Sequence, residues 1–468
     1  MKTPICDFVN EYVKSNSLRL HMPGHKGVSF DITEIEGADV LYQPRGIILE
    51  SEKNASRLFG TARTVYSAEG SSLAIKAMLY LALMNWRHER LADNVNNANN
   101  ANNVYNANER PVILAARNVH KTFVSAAAML DIDVEWIFPE TDGILSCEIS
   151  AGKLEKALSD LTEFQKRKPF GVYVTSPDYL GNVADVAALS AVCKKHSVML
   201  LVDNAHGAYL KFVTPSMHPM DLGADMCCDS AHKTLPVLTG GAYLHISQTS
   251  ESKEWLSANA DMAMSLFAST SPSYLIMQSL DRANLYIHEN YIQRRLLSSF
   301  VEKITQIKEK LIACGYRLCG NEPMKITIAP KSFGYSGEEL AKILSEKNIV
   351  CEFSDPDFVV MMLTPDLGDK GLETLCNALL SIPFNGDGKE VFKQAPSLTK
   401  PHRATSIREA VFSPSVNLPV EQAVGKIAAN VTVGCPPAVP IVVCGEVISE
   451  SAVECFKYYG IEACRVVE

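Results

Sequence analysis

Short apolar runs alternate with longer amphipathic segments between about residue 31 and residue 301. The strand-length runs lie at Val112–Ala116, Gly171–Thr175, 198–203 and 242–246. Segments with helical periodicity lie at residues 71–89, 185–196 and 274–290. Strands that alternate with helices are typical of βαβ units. The pattern therefore predicts an α/β fold with a large, mostly parallel sheet.

A second unit with the same kind of alternation follows. Its predicted helices lie at residues 302–314, 336–347 and 372–380, and its predicted strands at 325–329 and 358–363. A stretch rich in Pro and Lys at residues 384–403 resembles a linker, and the final segment contains one helix signal, at residues 419–427. We therefore predict an N-terminal segment (1–45), a large domain (46–300), a small α/β domain (301–395) and a C-terminal subdomain (396–468).

One segment has no apolar periodicity at all. Nine of the fifteen residues from Asn94 to Asn108 are Asn. Such a composition favours turns and offers nothing to bury. We predict a mobile surface insertion at residues 91–110, between a helix and the strand that begins near Val112.

Composition narrows the class of protein. The 468 residues include 44 basic and 53 acidic side chains, for a formal charge of −9. An acidic chain is a poor partner for nucleic acid or an anionic membrane surface, but it accommodates a small cationic substrate. The 13 cysteines form no Cys-x-x-Cys pair, which argues against structural zinc and favours reduced thiols. The N-terminus lacks the apolar core of a signal peptide, so we expect a soluble cytoplasmic protein.

The strongest candidate for chemistry is Lys233, within Asp229-Ser-Ala-His-Lys-Thr-Leu235. An ammonium group is costly to bury, and a desolvated lysine has a lowered pKa. Its neutral amine can then form a Schiff base with an aldehyde cofactor. The alternative is an ordinary surface lysine in a loop.

A carboxylate at a strand end adds a second element. The apolar run at 198–202 ends in Asp203, and ligands of open α/β sheets bind at the carboxyl ends of strands. There Asp203 could pair with a protonated pyridine nitrogen, or it could simply cap the next helix.

Groups suited to a phosphate and a planar ring are also present. Ser71 and Ser72 follow Gly70 at the start of a helix, a position that favours anions, although Ser is also a routine N-cap. His120 follows the strand Val112–Ala116, where its ring could stack on a cofactor or face solvent.

Together these motifs resemble the pyridoxal-phosphate enzymes of the aspartate-aminotransferase fold (fold type I). Among them the chain is similar to the Orn/Lys/Arg decarboxylase family, in the short form without an N-terminal wing domain. The motifs that carry the resemblance span nearly the whole chain. They are His21-Met-Pro-Gly-His-Lys-Gly27, Asp31-Ile-Thr-Glu34, Gly70-Ser-Ser72, Arg117-Asn-Val-His-Lys121, Ser176-Pro-Asp-Tyr-Leu-Gly181, Asp203-Asn-Ala-His-Gly207, Ser230-Ala-His-Lys233, Thr270-Ser-Pro-Ser-Tyr274, Gly334-Tyr-Ser-Gly337 and Arg408-Glu-Ala410.

The resemblance implies a role for each matching residue. Lys233 would hold pyridoxal phosphate as the internal aldimine, and Asp203 would pair with the pyridine nitrogen. His120 would stack on one face of the ring, with His206 near the other. The phosphate ligands would be Ser71, Ser72, Ser230 and His232, with Ser269 and Thr270 reaching the phosphate of the neighbouring subunit in a homodimer or higher homo-oligomer with shared active sites.

Three positions depart from the family pattern. Asn204 stands where Glu is usual, Tyr209 where a second His is common, and Arg45 where an acidic residue is frequent. These departures bear on the substrate pocket, because the Asp203 and Lys233 motifs are intact. His21 and His25 do not predict a metal site, because Pro23-Gly24 between them interrupts a helical turn.

The function implied is decarboxylation of arginine, lysine or ornithine to the corresponding amine, a step of polyamine biosynthesis. Selection of a cationic side chain requires an acidic group, and the candidates are Glu34, Glu36 and Asp39, unless these form only a solvated loop. Two alternatives remain open. One is another fold-type-I reaction, by an aminotransferase or a lyase, and the other is a cofactor-binding protein without catalysis.

Overall fold

The structure is a computed structural model, and it describes residues 1–96, 110–139, 145, 147–385, 392–431 and 439–468. The helices are α1 (Pro4–Lys14), α2 (Ile47–Phe59), α3 (Gly70–Asn96), α4 (Lys121–Leu130), α5 (Ala151–Ser159), α6 (Val186–Lys195), α7 (Ala231–Thr234), α8 (Lys253–Ser265), α9 (Tyr274–Tyr286), α10 (Leu296–Ala313), α11 (Gly337–Glu346), α12 (Gly368–Leu380), α13 (Ile407–Phe412) and α14 (Glu450–Tyr458).

The strands are β1 (Thr61–Ser67), β2 (Val112–Ala116), β3 (Asp133–Ile137), β4 (Gly171–Thr175), β5 (Met199–Asp203), β6 (Met226–Asp229), β7 (Ala242–Ser247), β8 (Leu318–Cys319), β9 (Lys325–Ile328), β10 (Phe353–Ser354), β11 (Val359–Met362), β12 (Ser415–Pro419) and β13 (Ala463–Val467). Two of the predicted strands, β2 and β4, match the expected ranges residue for residue.

A seven-stranded sheet organises the first part of the chain, in the order β1-β7-β6-β5-β4-β2-β3. Strands β2 to β6 pair in parallel, whereas β7 is antiparallel to both of its neighbours. The predicted α/β fold with a mostly parallel sheet is confirmed. Two smaller sheets follow, an antiparallel four-stranded sheet (β10-β11-β9-β8) and the antiparallel pair β12-β13. The division into domains stays a prediction.

Helices cover both faces of the large sheet. Along β4, Tyr173 joins one hydrophobic cluster, which includes residues of α3 and α4, whereas Val172 and Val174 join another, which includes residues of α5 and α6. Successive side chains of a strand point to opposite faces, so this division follows from the alternation. A sheet buried on both faces explains why its strands read as continuous apolar runs. Its carboxyl edge is then left to carry polar chemistry.

The N-terminal helix is anchored by a buried carboxylate. Oδ2 of Asp281 in α9 accepts hydrogen bonds of 3.0 Å from the amides of Ile5 and Cys6 in the first turn of α1. A carboxylate at a helix N-terminus accepts hydrogen bonds from the free N–H groups and is attracted to the positive end of the helix dipole. Oδ1 of Asp281 accepts a further bond from Ser51 of α2, so one side chain joins three helices.

The predicted helix at 419–427 is wrong. Pro419 ends β12, a single 3₁₀ turn covers Val420–Gln422, and Gly425 has φ +77°, so no helix forms there. The described part of this segment contains α13 and α14, and Ser449 caps α14 by accepting a hydrogen bond from the amide of Ala452. The predicted helix at 274–290 is also modified, because α9 passes into a π-helical turn at Ile287–Gln293.

The Asn-rich tract lies mostly outside the described residues. Helix α3 continues to Asn96, so its last residues occupy the start of the predicted insertion at 91–110. Residues 97–109 are not among those that the structure describes. Within the described ranges, no helix has the length and apolar character needed to cross a bilayer.

Candidate active site

Asp203 is the last residue of β5, at the carboxyl edge of the large sheet, and its side chain is only 2% exposed. Oδ2 accepts a 3.1 Å hydrogen bond from the hydroxyl of Tyr173 on β4, and Oδ1 accepts one of 3.2 Å from the amide of Ala205. Among the described residues, the groups that donate to this carboxylate are the Tyr173 hydroxyl, the Ala205 amide and, at 3.6 Å, Sγ of Cys228, and none of them is basic. A buried carboxylate without a cation is suited to a protonated nitrogen supplied by a ligand.

Lys233 lies in the short helix α7, which follows β6, the strand next to β5. Its Nζ is 2.9 Å from Nε2 of His206, which belongs to the segment after Asp203. Burial lowers the pKa of Lys233 most, the nearby charge of Lys325 lowers it further, and the attraction of Asp203 opposes both. The net result is a pKa below that of an ordinary lysine, which favours the nucleophilic neutral amine.

His120 is the N-cap of α4 and is linked to the start of α3. Its Nδ1 is 2.9 Å from Oγ1 of Thr122, and that hydroxyl donates to Oγ of Ser72 over 3.2 Å. His120 also interacts electrostatically with Asp203 and Lys233. The predicted stacking residue and a predicted phosphate ligand therefore belong to one connected group.

Two predicted phosphate ligands come together across the sheet edge. Oγ of Ser230, just before α7, donates to Oγ of Ser71 at the start of α3 over 2.7 Å. Gly70 has φ +74°, and a Cβ built there meets no atom within 4 Å, so the helix begins beside open space. Hydroxyls and free amides at a helix N-terminus suit an anion.

Three other predicted ligands are placed differently. Nδ1 of His232 lies 3.0 Å from the carbonyl oxygen of Gly241, so this histidine bonds the backbone. Ser269 and Thr270 are exposed, and the amide of Ser269 donates to Oε1 of Glu69 over 2.6 Å. This contact places the 269–270 segment within two residues of Ser71, in the same subunit.

The departures from the family pattern have identifiable contacts. Asn204 is fully buried, and its Nδ2 donates to Oδ1 of Asp229 over 2.6 Å. Tyr209 is also fully buried and donates to Oε1 of Glu322 over 3.2 Å. Arg45 is exposed. Two departures are thus structural neighbours of the Lys233 site, and the third faces solvent.

The acidic residues predicted to select a cation have different environments. Glu34 and Glu36 are exposed. Asp39 accepts hydrogen bonds from the amides of Val40, Arg45, Gly46 and Ile48, which lead into α2. Burial raises the pKa of Asp39, but these four donors outweigh it and hold the pKa below its usual value. Asp39 is therefore a helix anchor.

A cluster of potential metal ligands lies beneath the site, in a place that the sequence did not indicate. His218, Asp229 and His245 are fully buried, and Oδ2 of Asp229 is 3.0 Å and 3.2 Å from the two Nε2 atoms. The amide of Met220 donates to Nδ1 of His218, so Nε2 carries the proton. These hydrogen bonds account for the cluster without an ion.

His21, which the sequence did not predict to bind a metal, lies in the N-terminal segment. Its Nε2 is 2.8 Å from the hydroxyl oxygen of Tyr12, within hydrogen-bond distance.

Two family models match the sequence. "Orn/Lys/Arg decarboxylase, major domain" matches residues 93–315, and "Orn/Lys/Arg decarboxylase, C-terminal domain" matches residues 388–463, which together are more than half of the chain. The chain belongs to the Orn/Lys/Arg decarboxylase family. The first match contains all the residues predicted to bind the cofactor except Ser71 and Ser72.

Relatives of this family align along nearly the whole chain. Arginine decarboxylase of Bacillus subtilis (strain 168) is 28% identical over 96% of this chain and 92% of its own length. An uncharacterized protein of the same organism, YaaO, is 26% identical over 97% and 93%. The constitutive lysine decarboxylase of E. coli superposes with a TM-score of 0.76 at 17% identity, over 100% of this chain and 82% of that chain. The predicted fold of type I pyridoxal-phosphate enzymes is confirmed.

The site fits the cofactor that this family implies. Asp203 provides a buried carboxylate without a cation, and Lys233 an amine of lowered pKa. Ser71 and Ser230 provide adjacent hydroxyls beside the open start of α3. An aldehyde, a protonated ring nitrogen and a phosphate are the three features of pyridoxal phosphate that such a set matches.

Sequence reasoning missed the residues that complete the site from elsewhere. Tyr173 holds Asp203, and Lys325 on β9 lies 3.4 Å from Nδ1 of His206. Tyr179 packs edge-on against His206 and donates to Oε1 of Glu352 over 3.1 Å. Tyr173 falls in a predicted strand next to Asp203, which is a usable signal. Lys325 and Glu352 follow site residues by more than a hundred positions, and no local pattern marks them.

Proposed function

We propose that the protein is a pyridoxal-phosphate-dependent decarboxylase of a basic amino acid, with arginine as the first candidate. The observation that carries the proposal is the pairing of Lys233 with His206 beside the buried, cation-free carboxylate of Asp203. Family membership and the named activity of the Bacillus relatives support it. The product of arginine would be agmatine, that of lysine cadaverine and that of ornithine putrescine, which are polyamines or their precursors.

Each group at the sheet edge has a part in the reaction. Lys233 would carry the cofactor through its ε-amine, and Asp203 would hold a proton at the ring nitrogen. Ser71, Ser72 and Ser230 would bind the phosphate at the start of α3. When bound, pyridoxal phosphate supplies a ring that accepts the electron pair left by the departing carboxylate. His120 would lie against that ring.

The cationic end of the substrate needs a carboxylate, and Glu352 is the best candidate. Its charge acts on Lys233, and its Oε1 accepts the hydrogen bond from Tyr179, which contacts His206. Glu352 is exposed, so it remains open to a ligand arriving from solvent. A guanidinium or ammonium group could pair with it while the α-carbon reaches Lys233.

We further propose a homodimer in a reducing compartment such as the cytoplasm. The exposed Ser269 and Thr270, two to three residues before Pro272 and close to Glu69, would contribute to the phosphate of the neighbouring subunit. All the cysteines that the structure describes are unpaired, in keeping with a reducing environment.

The test is product formation by the cofactor-loaded protein. Arginine, lysine and ornithine would each be supplied, and carbon dioxide and amine measured. We expect one of the three to be decarboxylated, with Lys233→Ala inactive and borohydride fixing the cofactor to the peptide that contains Lys233. Glu352→Gln should raise KM for the basic substrate by about tenfold or more, whereas the exposed control Glu36→Gln should not. Turnover of acidic or neutral amino acids alone would overturn the proposed substrate class.

A further inference from the structure

A second lysine lies on the far side of the His206 ring from Lys233. Nζ of Lys325 is 3.4 Å from Nδ1 of His206, while Nζ of Lys233 is 2.9 Å from Nε2 of the same ring. One imidazole thus separates two amines, one from α7 and one from β9 of the four-stranded sheet. An arrangement of this kind constrains where the protons lie.

The charge on Lys325 is fixed by its surroundings. Lys325 is 3% exposed, and its Nζ lies 2.8 Å from Oε2 of Glu322, which is 2% exposed. Its Nζ also donates to the carbonyl oxygen of Asp178 over 3.3 Å. A buried ammonium is stable when a carboxylate pairs with it and acceptors satisfy its protons. Lys325 therefore acts as a hydrogen-bond donor in each of its contacts.

Tyr209 holds the carboxylate of this pair. Its hydroxyl donates to Oε1 of Glu322 over 3.2 Å and accepts from the amide of Met324 over 3.0 Å. Gly181, at φ +87°, packs on the pair, since a Cβ there would lie 3.1 Å from Cδ of Lys325 and 3.3 Å from Cβ of Glu322. Tyr209, which departs from the family pattern, and Gly181, which ends the Ser176–Gly181 motif, therefore both contact one buried ion pair.

Proton accounting then fixes the His206 tautomer. An ammonium has no lone pair, so Nδ1 must accept a hydrogen bond from Lys325. Burial lowers the pKa of His206 most, and the charge of Lys325 lowers it further, so the ring is neutral with its single proton on Nε2. An Nε2–H donor beside Lys233 requires a lone pair on that amine, and only the neutral amine has one.

We propose that Lys325 is a positioning residue of the Lys233 site, whose ammonium, held by Glu322, fixes His206 as the Nε2–H tautomer that donates to the neutral Lys233 amine. The inference rests on the proposed role of Lys233 as the cofactor lysine. The neutral amine is the form that condenses with an aldehyde. Its nitrogen bonds the aldehyde carbon, and the oxygen leaves as water with the two amine protons.

The charged groups around the pair agree with this assignment. His206 interacts with Lys325, Lys233, His120 and His232, and a positive charge on any of them opposes a positive charge on the ring. Lys233 also interacts with the carboxylates of Asp203 and Glu352, which favour its protonated form. Burial and the charge of Lys325 therefore counter two carboxylates that would otherwise keep the amine charged.

The first test needs no variant of the pair. The full-length chain, freed of cofactor and labelled with ¹⁵N-histidine, would be observed by NMR at pH 7. His206→Gln would identify the resonances of His206. We expect a protonated Nε2 and an unprotonated Nδ1. A proton on Nδ1, or on both nitrogens, would overturn the proposal.

The second test measures the reactivity of Lys233. The cofactor-free chain would be treated briefly with an amine-acylating reagent across pH 6–10, and mass spectrometry would follow the peptide that contains Lys233. In Lys325→Met we expect the rate at pH 7 to fall about tenfold, because a rise of one pKa unit removes nine tenths of the neutral amine. An unchanged pH profile in a folded variant would contradict the proposal.

Matched variants separate this effect from general damage. Lys308 also contacts Glu322, because its Nζ donates a 2.8 Å hydrogen bond to the backbone carbonyl oxygen of Glu322. Lys308 does not contact His206, so Lys308→Met is the control. It should leave the Lys233 profile unchanged, and an equal shift in both variants would also contradict the proposal. If Lys325→Met fails to fold, Lys325→Met/Glu322→Gln removes both buried charges and is measured instead. Borohydride labelling of the loaded enzyme tests the cofactor role of Lys233 separately, so failure of either idea is recognised by itself.

Discussion

Arg117 and Glu446 form a bidentate ion pair inside the protein, with Nη1–Oε1 and Nη2–Oε2 distances of 2.6 and 2.7 Å. Arg117 is fully buried and Glu446 is 3% exposed. Arg117 follows β2 and precedes His120, whereas Glu446 belongs to the C-terminal segment. The pair therefore connects the segment that carries His120 to a part of the chain more than three hundred residues away.

Removing one partner of this pair should destabilise the protein strongly. Glu446→Leu would leave the Arg117 guanidinium buried without its carboxylate, at an expected cost of about 3–5 kcal/mol. The double variant Arg117→Met/Glu446→Leu should recover part of that loss. Denaturant unfolding checks both. Lys457→Met, which breaks an exposed pair with Glu421 in the same segment, is the control and should cost much less. Equal losses of stability in Glu446→Leu and Lys457→Met would contradict the prediction.

The sheet edge was predictable because its signals are local. The apolar runs match β2 and β4 residue for residue, Asp203 is the last residue of β5, and Lys233 lies four residues after the end of β6. Parallel strands end at one edge, so their terminal residues meet whatever the rest of the chain does. The contact between Lys233 and His206 follows from that topology.

The contributions of the later segments were not predictable in this way. Lys325 opens a short strand whose apolar pattern gives no reason for an ammonium in the interior, and its partner His206 lies 119 positions earlier. The wrong prediction of a helix at residues 419–427 has a different cause, because Pro419 and Gly425 are helix-breaking residues that the sequence itself shows. The signals of α14, Ser449 as cap and Gly460 with φ +69° beyond the end, were equally local.

Asp203→Asn should retain cofactor and lose most activity. An amide cannot hold a proton at the ring nitrogen as a carboxylate does, and we expect decarboxylation to fall on the order of a hundredfold. Carbon dioxide release and cofactor absorbance measure the two properties. Tyr173→Phe removes one hydrogen bond to Asp203 but leaves its charge, so its loss should be much smaller. Near-normal turnover in Asp203→Asn would show that Asp203 has another role.

Asn204→Asp should destabilise the protein in a pH-dependent manner. The new carboxyl would face Oδ1 of Asp229 in place of an amide 2.6 Å away, fully buried. Two such carboxylates share a proton, so the pKa of the new group is raised in the folded state. Stability is then lost as pH rises above the unfolded pKa of about 3.9. The unfolding midpoint of the variant should lie further below that of the parent at pH 8 than at pH 5.

The control for that change is Asn182→Asp. Asn182 also donates to an aspartate, Asp178, over 2.7 Å, but it is partly exposed. Solvent there relieves the repulsion, so we expect a smaller dependence on pH. The same deficit at pH 5 and pH 8 for Asn204→Asp would contradict the shared proton.

Glu52→Gln should stabilise the protein at alkaline pH. Glu52 is 2% exposed, its Oε1 accepts from the amide of Tyr66 over 2.9 Å, and Arg63 is 4.0 Å from Oε2. Burial raises its pKa to about 8, although the Tyr66 amide and Arg63 lower it in part. The folded state therefore keeps a proton that the unfolded state releases near pH 4.5. By that linkage, stability falls as pH rises from about 4.5 to 8.

A glutamine has no proton to lose, so the unfolding midpoint of Glu52→Gln should exceed that of the parent by a few degrees at pH 9, and by less at pH 6. Glu50→Gln, an exposed change two residues earlier on α2, should give curves parallel to the parent at both pH values. If Glu52→Gln is also parallel to the parent, Glu52 is ionised in the folded protein.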